Sequence, residues 1–291
     1  MHNEVYNYDI SKKQGYIPEK RKKENKMKKI ISLALAVVLC LGCVFALASC
    51  GGNSDKLVIY TEAGFAPYEF FYNNEIVGVD IKIMEAVAAK LGKELVVEDV
   101  AFDSIIGAVK SGKASAGAAG ITITPERAEE VDFSIAYSST EQYIIVKADN
   151  TTVTNLETLN GKRIGVQQGT TSDFLVSELM EDGALANSEL TPYDAPAIAA
   201  AALGTKIDAV VTDKLTAEVI VASSNGAYKT FKFTKADGSD VAEVEEYGIA
   251  VQKGNTELLE VINEVLAELL ANGSIAKWEK EYNDIYAQIE E

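Results

Sequence analysis

Residues 156–180 read LETLNGKRIGVQQGTTSDFLVSELM, and this stretch predicts the architecture of the chain. A short helical run is followed by an apolar strand pattern, a Gly-Thr turn and a second helical run. Residues 198–224, IAAAALGTKIDAVVTDKLTAEVIVASS, repeat the same order of helix, strand, turn and helix. Because strands that alternate with helices form parallel sheets covered by helices, the pattern places the chain in the α/β class.

The same alternation extends over most of the chain. LVIY (57–60) predicts a strand, DIKIMEAVAAKLG (80–92) an amphipathic helix and SIIGAVKSG (104–112) a short helix. Residues 255–286 predict two helices joined at an Asn-Gly pair. A chain of 291 residues is long enough for two domains. AVKSGKASAGAAGIT (108–122) and AALGTKIDAVVTDKL (201–215) both run helix, turn, strand and polar turn, which is consistent with two similar units that face each other across a cleft. The alternative is that any α/β protein repeats such units. Ligands in such folds lie at the carboxyl ends of strands, near helix N-termini.

Composition excludes several functional classes. From residue 50 onward, 18 basic residues face 40 acidic ones, so this part of the chain repels nucleic acid and we expect no nucleic-acid partner. The only histidine is His2, and the cysteines are Cys40, Cys43 and Cys50. The remaining chain therefore lacks the side chains for Ser-His or Cys-His catalysis and for zinc sites built on them. We expect no metal and no cofactor, while catalysis by carboxylates or lysine stays open.

The N-terminal segment has the layout of an export signal. Residues 27–49 combine a basic start, a long apolar run and a small-residue end, which is typical of a secretory signal peptide. With Cys50 the run ends in LASC, which resembles a lipobox and predicts a lipid anchor on that cysteine, followed by a tether (50–56). An uncleaved transmembrane anchor is the alternative, since about 18–20 apolar residues span a bilayer. Residues 1–26 precede a complete signal and are interpreted as an upstream mis-start.

TPER (124–127) predicts a helix start that contains a misplaced cation. Thr124 suits the N-cap and Pro125 the first helical position. Arg127 then lies against the positive end of the helix dipole, which is unfavourable by about 0.3–1 kcal/mol. A carboxylate ligand would remove the conflict, because a guanidinium and free helix amides both bind anions. The alternative is that Arg127 pairs with neighbouring glutamates on a solvated face.

Other unusual residues collect at predicted strand ends. Asp213 can meet an ammonium group, although an aspartate after a strand is commonly only an N-cap. Phe65 and Phe102 can form flat apolar walls, although such residues are usually core. Together, a carboxylate clamp, an ammonium partner and aromatic walls predict a receptor for a zwitterionic amino acid. The candidate ligand-binding residues, none of them catalytic, are Glu62, Phe65, Phe102, Gly120, Thr122, Arg127, Gln167, Thr171 and Asp213.

Seven motifs are spread over the chain from Phe65 to Asn255. They are FAPYEF (65–70), IVGVDIKIMEAVAAKLG (76–92), FDSIIGAVKSGKA (102–114), AGITITPERAEEVDFS (119–134), GKRIGVQQGTTSD (161–173), IDAVVTD (207–213) and EYGIAVQKGN (246–255). Through these motifs the sequence from Leu57 to its C-terminus resembles the family 3 extracellular solute-binding proteins, the receptor components of polar amino-acid ABC importers. It is especially similar to the glutamine-binding and lysine/arginine/ornithine-binding members.

The resemblance implies a two-lobed, periplasmic-binding-protein-like (type II) fold with two hinge crossings and a central ligand cleft. The crossings are expected near residues 137–145 and 240–248. Lobe 1 would comprise residues 57–140 and 245–291, and lobe 2 residues 141–244. The expected protein is a monomer, lipid-anchored on the extracellular face of the cell membrane, that passes its ligand to an ABC permease.

The resemblance also implies roles for the candidate residues. The ligand α-carboxylate would be held by Arg127, the Thr122 amide and the region of Thr171. The α-ammonium would be held by Asp213, the Gly120 carbonyl and the Thr122 hydroxyl. Phe65 and Phe102 would sandwich the side chain, and Glu62 and Gln167 would lie near its tip.

The predicted function is an amino-acid receptor, and two alternatives stay open. The same fold also supports a cyclohexadienyl dehydratase-like enzyme or a sensor that presents its ligand to a signalling partner. Glutamine binders carry lysine at the position of Gln167 and histidine at that of Thr212, so this chain departs from their pattern. Glu62 replaces a usual aspartate, and an acid there suits a cationic or amide side chain.

Overall fold

The structure, a computed structural model, describes residues 55–289. The predicted upstream segment, signal peptide and lipidated cysteine (1–26, 27–49 and Cys50) lie outside this range. Within the described part of the chain, no helix is long and apolar enough to cross a membrane.

Strands and helices alternate along the described residues as the sequence predicts. The strands are β1 (Lys56–Thr61), β2 (Gly64–Phe65), β3 (Glu69–Tyr72), β4 (Glu75–Val77), β5 (Glu94–Asp99), β6 (Ala116–Gly117), β7 (Val131–Phe133), β8 (Ser138–Thr140), β9 (Gln142–Lys147), β10 (Arg163–Gln167), β11 (Glu189–Tyr193), β12 (Ala209–Asp213), β13 (Tyr228–Lys232), β14 (Glu245–Tyr247) and β15 (Ala250–Gln252). The helices are α1 (Val79–Leu91), α2 (Ile105–Lys110), α3 (Pro125–Glu130), α4 (Leu156–Leu159), α5 (Thr171–Glu181), α6 (Pro196–Ala201), α7 (Lys214–Ser223), α8 (Thr256–Ala271) and α9 (Ser274–Tyr286).

Two five-stranded sheets share one topology. Their strand orders are β5-β1-β6-β15-β7 and β11-β10-β12-β9-β13. In each sheet the first three strands are parallel, and the last two run antiparallel to their neighbours within the sheet. The two similar α/β units predicted from the sequence are therefore present, and the α/β, two-lobed fold class is confirmed. We call the parts built on these sheets lobe 1 and lobe 2.

A separate two-stranded sheet joins the lobes. The chain leaves the first sheet along β8 and returns along β14, and these strands pair antiparallel, with Thr140 opposite Glu245 and Ser138 opposite Tyr247. Each of the two predicted crossing regions contains one of these strands. The joining strands therefore run side by side beneath the cleft, next to residues of both lobes.

Each lobe has its own apolar core, which fixes the strand ends that face the cleft. In lobe 1 the residues of β1 alternate between partly and fully buried, and Ile59 packs beneath α1 and α8. In lobe 2 all five residues of β12 are buried, because helices cover this central strand on both faces. The strand carries its last residue, Asp213, into a buried position.

The small-residue segment ASAGAAGITIT (114–124) has the pattern of a strand but forms only a very short one. Only Ala116–Gly117 pairs within the sheet, and Thr122 forms an isolated bridge with Tyr247. The reason is the turn at Gly120, whose φ of 54° is in the left-handed region and where a Cβ atom would lie 2.9 Å from the Phe65 ring. The chain therefore leaves the sheet early and brings Thr122 to the joining strands.

Candidate functional site

Strand ends from both lobes meet around a small cavity of about 10 Å³, which has room for about one water molecule. Eight of the nine predicted site residues lie on its wall, and the ninth, Glu62, bonds to the wall residue Gln167. The lobes are thus closed against each other. The lining residues are Phe65, Phe102, Ala119, Gly120, Thr122, Arg127, Gln167, Thr170, Thr171 and Asp213.

Arg127 is buried at the cleft, with 9 % of its surface exposed. Its helix begins as predicted, because the Thr124 hydroxyl accepts a hydrogen bond from the Arg127 amide at 3.2 Å. The guanidinium donates to two carbonyl oxygens, that of Thr122 at 2.8 Å and that of Gly169 across the cleft at 3.2 Å. It also lies over the Phe102 ring, 5.5 Å from the centroid.

Arg127 has no direct ion pair among the described residues. The alternative prediction, pairing with the glutamates of its own helix, is not observed: Glu130 instead pairs with Lys110. Burial lowers the pKa of Arg127, and the charges of Glu245 and Asp213 partly oppose that effect. A buried cation bonded only to carbonyl oxygens is suited to receive an anion.

Asp213 occupies the N-cap position of α7, but its side chain does not cap the helix. One carboxylate oxygen accepts a hydrogen bond from Gln142 Nε2 at 2.6 Å, and the other accepts from the Tyr247 hydroxyl. Burial, and secondarily the charge of Glu245, raises the pKa of Asp213 to about 7. The alternative of a plain capping aspartate is therefore wrong, and a cation beside this carboxyl group would favour its charged form.

Glu62 and Gln167 join the lobes at the other side of the cavity. Gln167 Nε2 donates to Glu62 Oε2 at 2.7 Å and to the carbonyl oxygen of Asp194 at 3.0 Å. The pKa of Glu62 is raised to about 7, mainly by burial and in addition by the nearby charges of Asp99 and Asp194, against the lowering effect of the Gln167 hydrogen bond. Negative charge is thus concentrated here.

The two phenylalanines differ in their surroundings. Phe65 belongs to the lobe 1 core, where its ring stacks on Tyr68 at 6.1 Å and meets the edge of Tyr247 at 6.5 Å. Phe102 lies in a 3₁₀ turn, Phe102–Ser104, and carries the Arg127 guanidinium on its face. Phe65 is therefore both a core residue and a wall of the cavity, so the two interpretations of its sequence position are compatible.

Sequence reasoning missed several residues that bond directly to predicted site residues, and Glu245 and Gln142 each bond to more than one polar group at the site. The hydroxyls of Thr122 and Thr171 both donate to Glu245, and Gln142 donates to Glu245 and to Asp213. Glu245 begins the joining strand β14, and Gln142 begins β9 directly after the joining strand β8, so both lie away from the strand-end turns in which polar residues were sought. Their only sequence signal is their position at the predicted crossings.

The site has two ends, which we name by their charged residues. The arginine end comprises Gly120, Thr122, Arg127, Thr171 and Asp213. The glutamate end comprises Glu62 and Gln167, with Asp99 and Asp194 beside them.

Sequence comparison matches residues 57–285 to the bacterial extracellular solute-binding proteins, family 3. The chain is 30 % identical over 258 residues to the arginine-binding extracellular protein ArtP of Bacillus subtilis, covering 86 % of this chain and 96 % of that protein. The family match covers most of the described residues, including both lobes.

Two solved structures show the same fold. An ancestral arginine-binding protein bound to arginine superposes with a TM-score of 0.70 and 38 % identity, covering 79 % of this chain and 99 % of that one. The substrate-binding protein AbpA of Streptococcus pneumoniae, bound to L-arginine, gives a TM-score of 0.73 at 26 % identity and covers 81 % and 97 %. All three relatives are named as binding proteins.

Proposed function

We propose that this chain, which belongs to the family 3 bacterial extracellular solute-binding proteins, is the receptor of an amino-acid ABC importer and binds an L-amino acid with a cationic side chain by closure of its cleft. The observation that carries the proposal is that a basic side chain, Arg127, and an acidic side chain, Asp213, line the same cavity. Arg127 is buried and has no ion pair with any residue that the structure describes, and Asp213 is buried with a raised pKa. A zwitterion supplies both missing partners at once.

The arginine end provides the groups that an amino-acid backbone needs. The ligand α-carboxylate would bind the Arg127 guanidinium and the first amides of α5, which begins at Thr171 and leaves them without intrahelical partners. The α-ammonium would bind Asp213. Because the closed cavity holds about 10 Å³, the lobes must part to admit the ligand. Arg127 then exchanges its bond to the Gly169 carbonyl for bonds to the ligand.

The glutamate end selects the side chain. Glu62 lies close to the charges of Asp99 and Asp194, and this repulsion together with burial opposes its ionisation. A cationic side chain would relieve the repulsion, whereas the carboxylate of a glutamate ligand would add to it. The arginine-binding relatives agree with this choice of ligand class. The cavity walls formed by Phe65 and Phe102 suit a flat guanidinium between them.

The location follows from the family and from the N-terminal sequence. We propose that the chain is exported by the signal peptide at residues 27–49 and lipid-anchored through Cys50 on the outer face of the cell membrane, where a monomer delivers its ligand to a permease. Labelling with a radioactive fatty acid tests the anchor. The wild type should incorporate label and Cys50→Ala should not.

A thermal-shift panel of the common amino acids tests the binding function. A ligand at 100 times its dissociation constant adds about 2.7 kcal/mol to the free energy of unfolding, so a matching amino acid should raise the melting temperature clearly. Arginine, and more weakly lysine, should give the largest shifts. If no amino acid shifts the transition while a prephenate-like acid is consumed on incubation, the dehydratase alternative replaces this proposal.

A further inference from the structure

Glu245 contacts the arginine end from β14, one of the two joining strands. The hydroxyl of Thr122 donates to Glu245 Oε2 at 2.8 Å, and the hydroxyl of Thr171 donates to the same oxygen at 2.7 Å. Thr122 belongs to lobe 1 and Thr171 begins a helix of lobe 2. One carboxylate oxygen therefore bonds a hydroxyl group from each lobe.

The other oxygen of Glu245 is fixed by a buried amide. Gln142 Nε2 donates to Glu245 Oε1 at 2.8 Å and to Asp213 Oδ1 at 2.6 Å, and Gln142 Oε1 accepts from the Ser172 hydroxyl at 2.7 Å. The neighbouring carboxylates fix the orientation of the Gln142 amide, since the reverse orientation would place its oxygen against the oxygens of Glu245 and Asp213. Glu245 is therefore linked to Asp213 through a single side chain.

The partners of Glu245 do not all move together. Backbone hydrogen bonds tie β14 and its flank to lobe 1, from Ile123 N to Glu246 O at 2.8 Å and from Gly248 N to Ile121 O at 3.0 Å. Gln142 and Thr171 belong to elements of the lobe 2 sheet and its helices. Because these backbone bonds tie β14 to lobe 1, parting of the lobes would separate Glu245 from Thr171, and their bond would form only on closure.

A hydroxyl group has one hydrogen to donate and two lone pairs that accept. With that hydrogen given to Glu245, the Thr122 oxygen has only acceptor capacity left for a ligand. An acceptor beside Asp213 suits an ammonium group and does not suit a carboxylate. The charge of Glu245 thus decides which ligand group the Thr122 hydroxyl can contact.

We propose that Glu245 is a positioning residue that holds the two lobes closed through the Thr171 hydroxyl and turns the Thr122 hydroxyl into an acceptor for an ammonium group. The second half of this inference rests on the proposed amino-acid function, whereas the first half does not. Glu245 need not touch the ligand, because it acts through the two threonines and through Gln142.

Glu245→Gln tests the inference in the full chain with little change of shape. The new amide must turn its NH₂ group either toward the hydroxyls, whose orientation it would reverse, or toward the donating amide of Gln142. Arginine affinity measured by calorimetry should fall about 10- to 100-fold, mainly through faster release, since hydrogen bonds to charged groups contribute about 1.5–3 kcal/mol. The ligand-free variant should also have a larger radius of gyration by small-angle X-ray scattering.

Glu246→Gln, which removes the same charge from an exposed neighbour on β14, should match the wild type in both measurements.

A double-mutant cycle with Thr171→Val separates positioning from a merely structural role. Thr171→Val should weaken binding several-fold in the wild type and hardly at all in Glu245→Gln, whereas independent losses would multiply and contradict the inference. If the wild type binds no amino acid but Glu245→Gln opens the ligand-free chain, the closure role stands and the proposed function fails. Unchanged scattering together with unchanged binding in Glu245→Gln would overturn the inference while leaving the proposed function intact.

Discussion

The two ends of the cleft are built differently. At the arginine end, the charged groups of Arg127 and Asp213 are each held by two hydrogen bonds from within the protein. At the glutamate end, the link between the lobes is the single bond from Gln167 to Glu62, set among repelling acids. In the proposed function, the first arrangement would bind the groups that are common to all amino acids. The link at the glutamate end depends on one side chain, Gln167. A substitution there can therefore change ligand selectivity while the arginine end stays intact.

The largest expected effect comes from removing the charge of the arginine end. Arg127→Met keeps much of the volume but leaves the ligand carboxylate unpaired, so affinity for every amino acid should fall by about 2–5 kcal/mol, or roughly 30-fold and more. The melting temperature of the ligand-free variant should stay the same or rise, because a buried cation without an ion pair is removed. Calorimetry that shows full affinity would refute the role of Arg127.

Asp213→Asn should have the next largest effect. The change preserves shape but removes the ammonium partner, which should weaken arginine and glutamine alike by about 10- to 100-fold. Calorimetric titrations with both ligands check this. If only the affinity for arginine fell, Asp213 would contact the ligand side chain and not the α-ammonium group.

Glu62→Gln should separate the two ends. Arginine affinity should fall about tenfold to 30-fold, since a hydrogen bond to a charged group is replaced by a neutral one, whereas glutamine affinity should be nearly unchanged. Glu98→Gln, which removes an acid from the exposed part of β5, is the matched control and should change neither value. Equal losses for both ligands would show that Glu62 does not select the side chain.

The pH dependence of binding should reveal the same acid. In the ligand-free closed form the pKa of Glu62 is raised to about 7, so its proton must leave before it can pair with a cation. Arginine affinity should therefore rise with pH, by up to about eightfold between pH 6 and 7.5 from this group, with proton release on binding. Asp213 adds a similar rise because its pKa is also about 7. In Glu62→Gln, the pH dependence of arginine affinity that comes from Glu62 should disappear, and the part that comes from Asp213 should remain.

The smallest effect is expected where the lobes meet outside both ends. Gln168 Nε2 donates to Asp103 Oδ2 at 2.8 Å on the exposed rim of the cleft. Asp103→Ala should change arginine affinity by about 0.5 kcal/mol, or roughly twofold, because exposed hydrogen bonds contribute little. A tenfold loss of arginine affinity measured by calorimetry would show that residues at this rim take part in ligand recognition.

The arginine end was accessible from sequence because its residues follow local rules. Thr124 caps a helix as expected, and the conflict of Arg127 with the helix dipole identified it as unusual. The alternating pattern likewise predicted both sheets, since each strand and helix carries its own signal in neighbouring residues. These features depend on contacts close along the chain.

The remaining features depend on contacts between distant residues. Glu245 and Gln142 are 103 residues apart, and no local pattern marks their bond. The early end of β6 arises because Gly120 packs against Phe65, which precedes it by more than fifty residues. That Arg127 donates to carbonyl oxygens, and has no ion pair within residues 55–289, is also visible only in three dimensions.

Calorimetric titration of the full chain with L-arginine and with agmatine, which is arginine without its α-carboxylate, tests the central claim most directly. The account predicts that L-arginine binds at a single site, that agmatine binds at least about 30-fold more weakly, and that Arg127→Met removes the difference. Equal affinity of the wild type for both compounds, or binding of neither, would contradict the claim that the cleft recognises an amino acid by its two backbone charges.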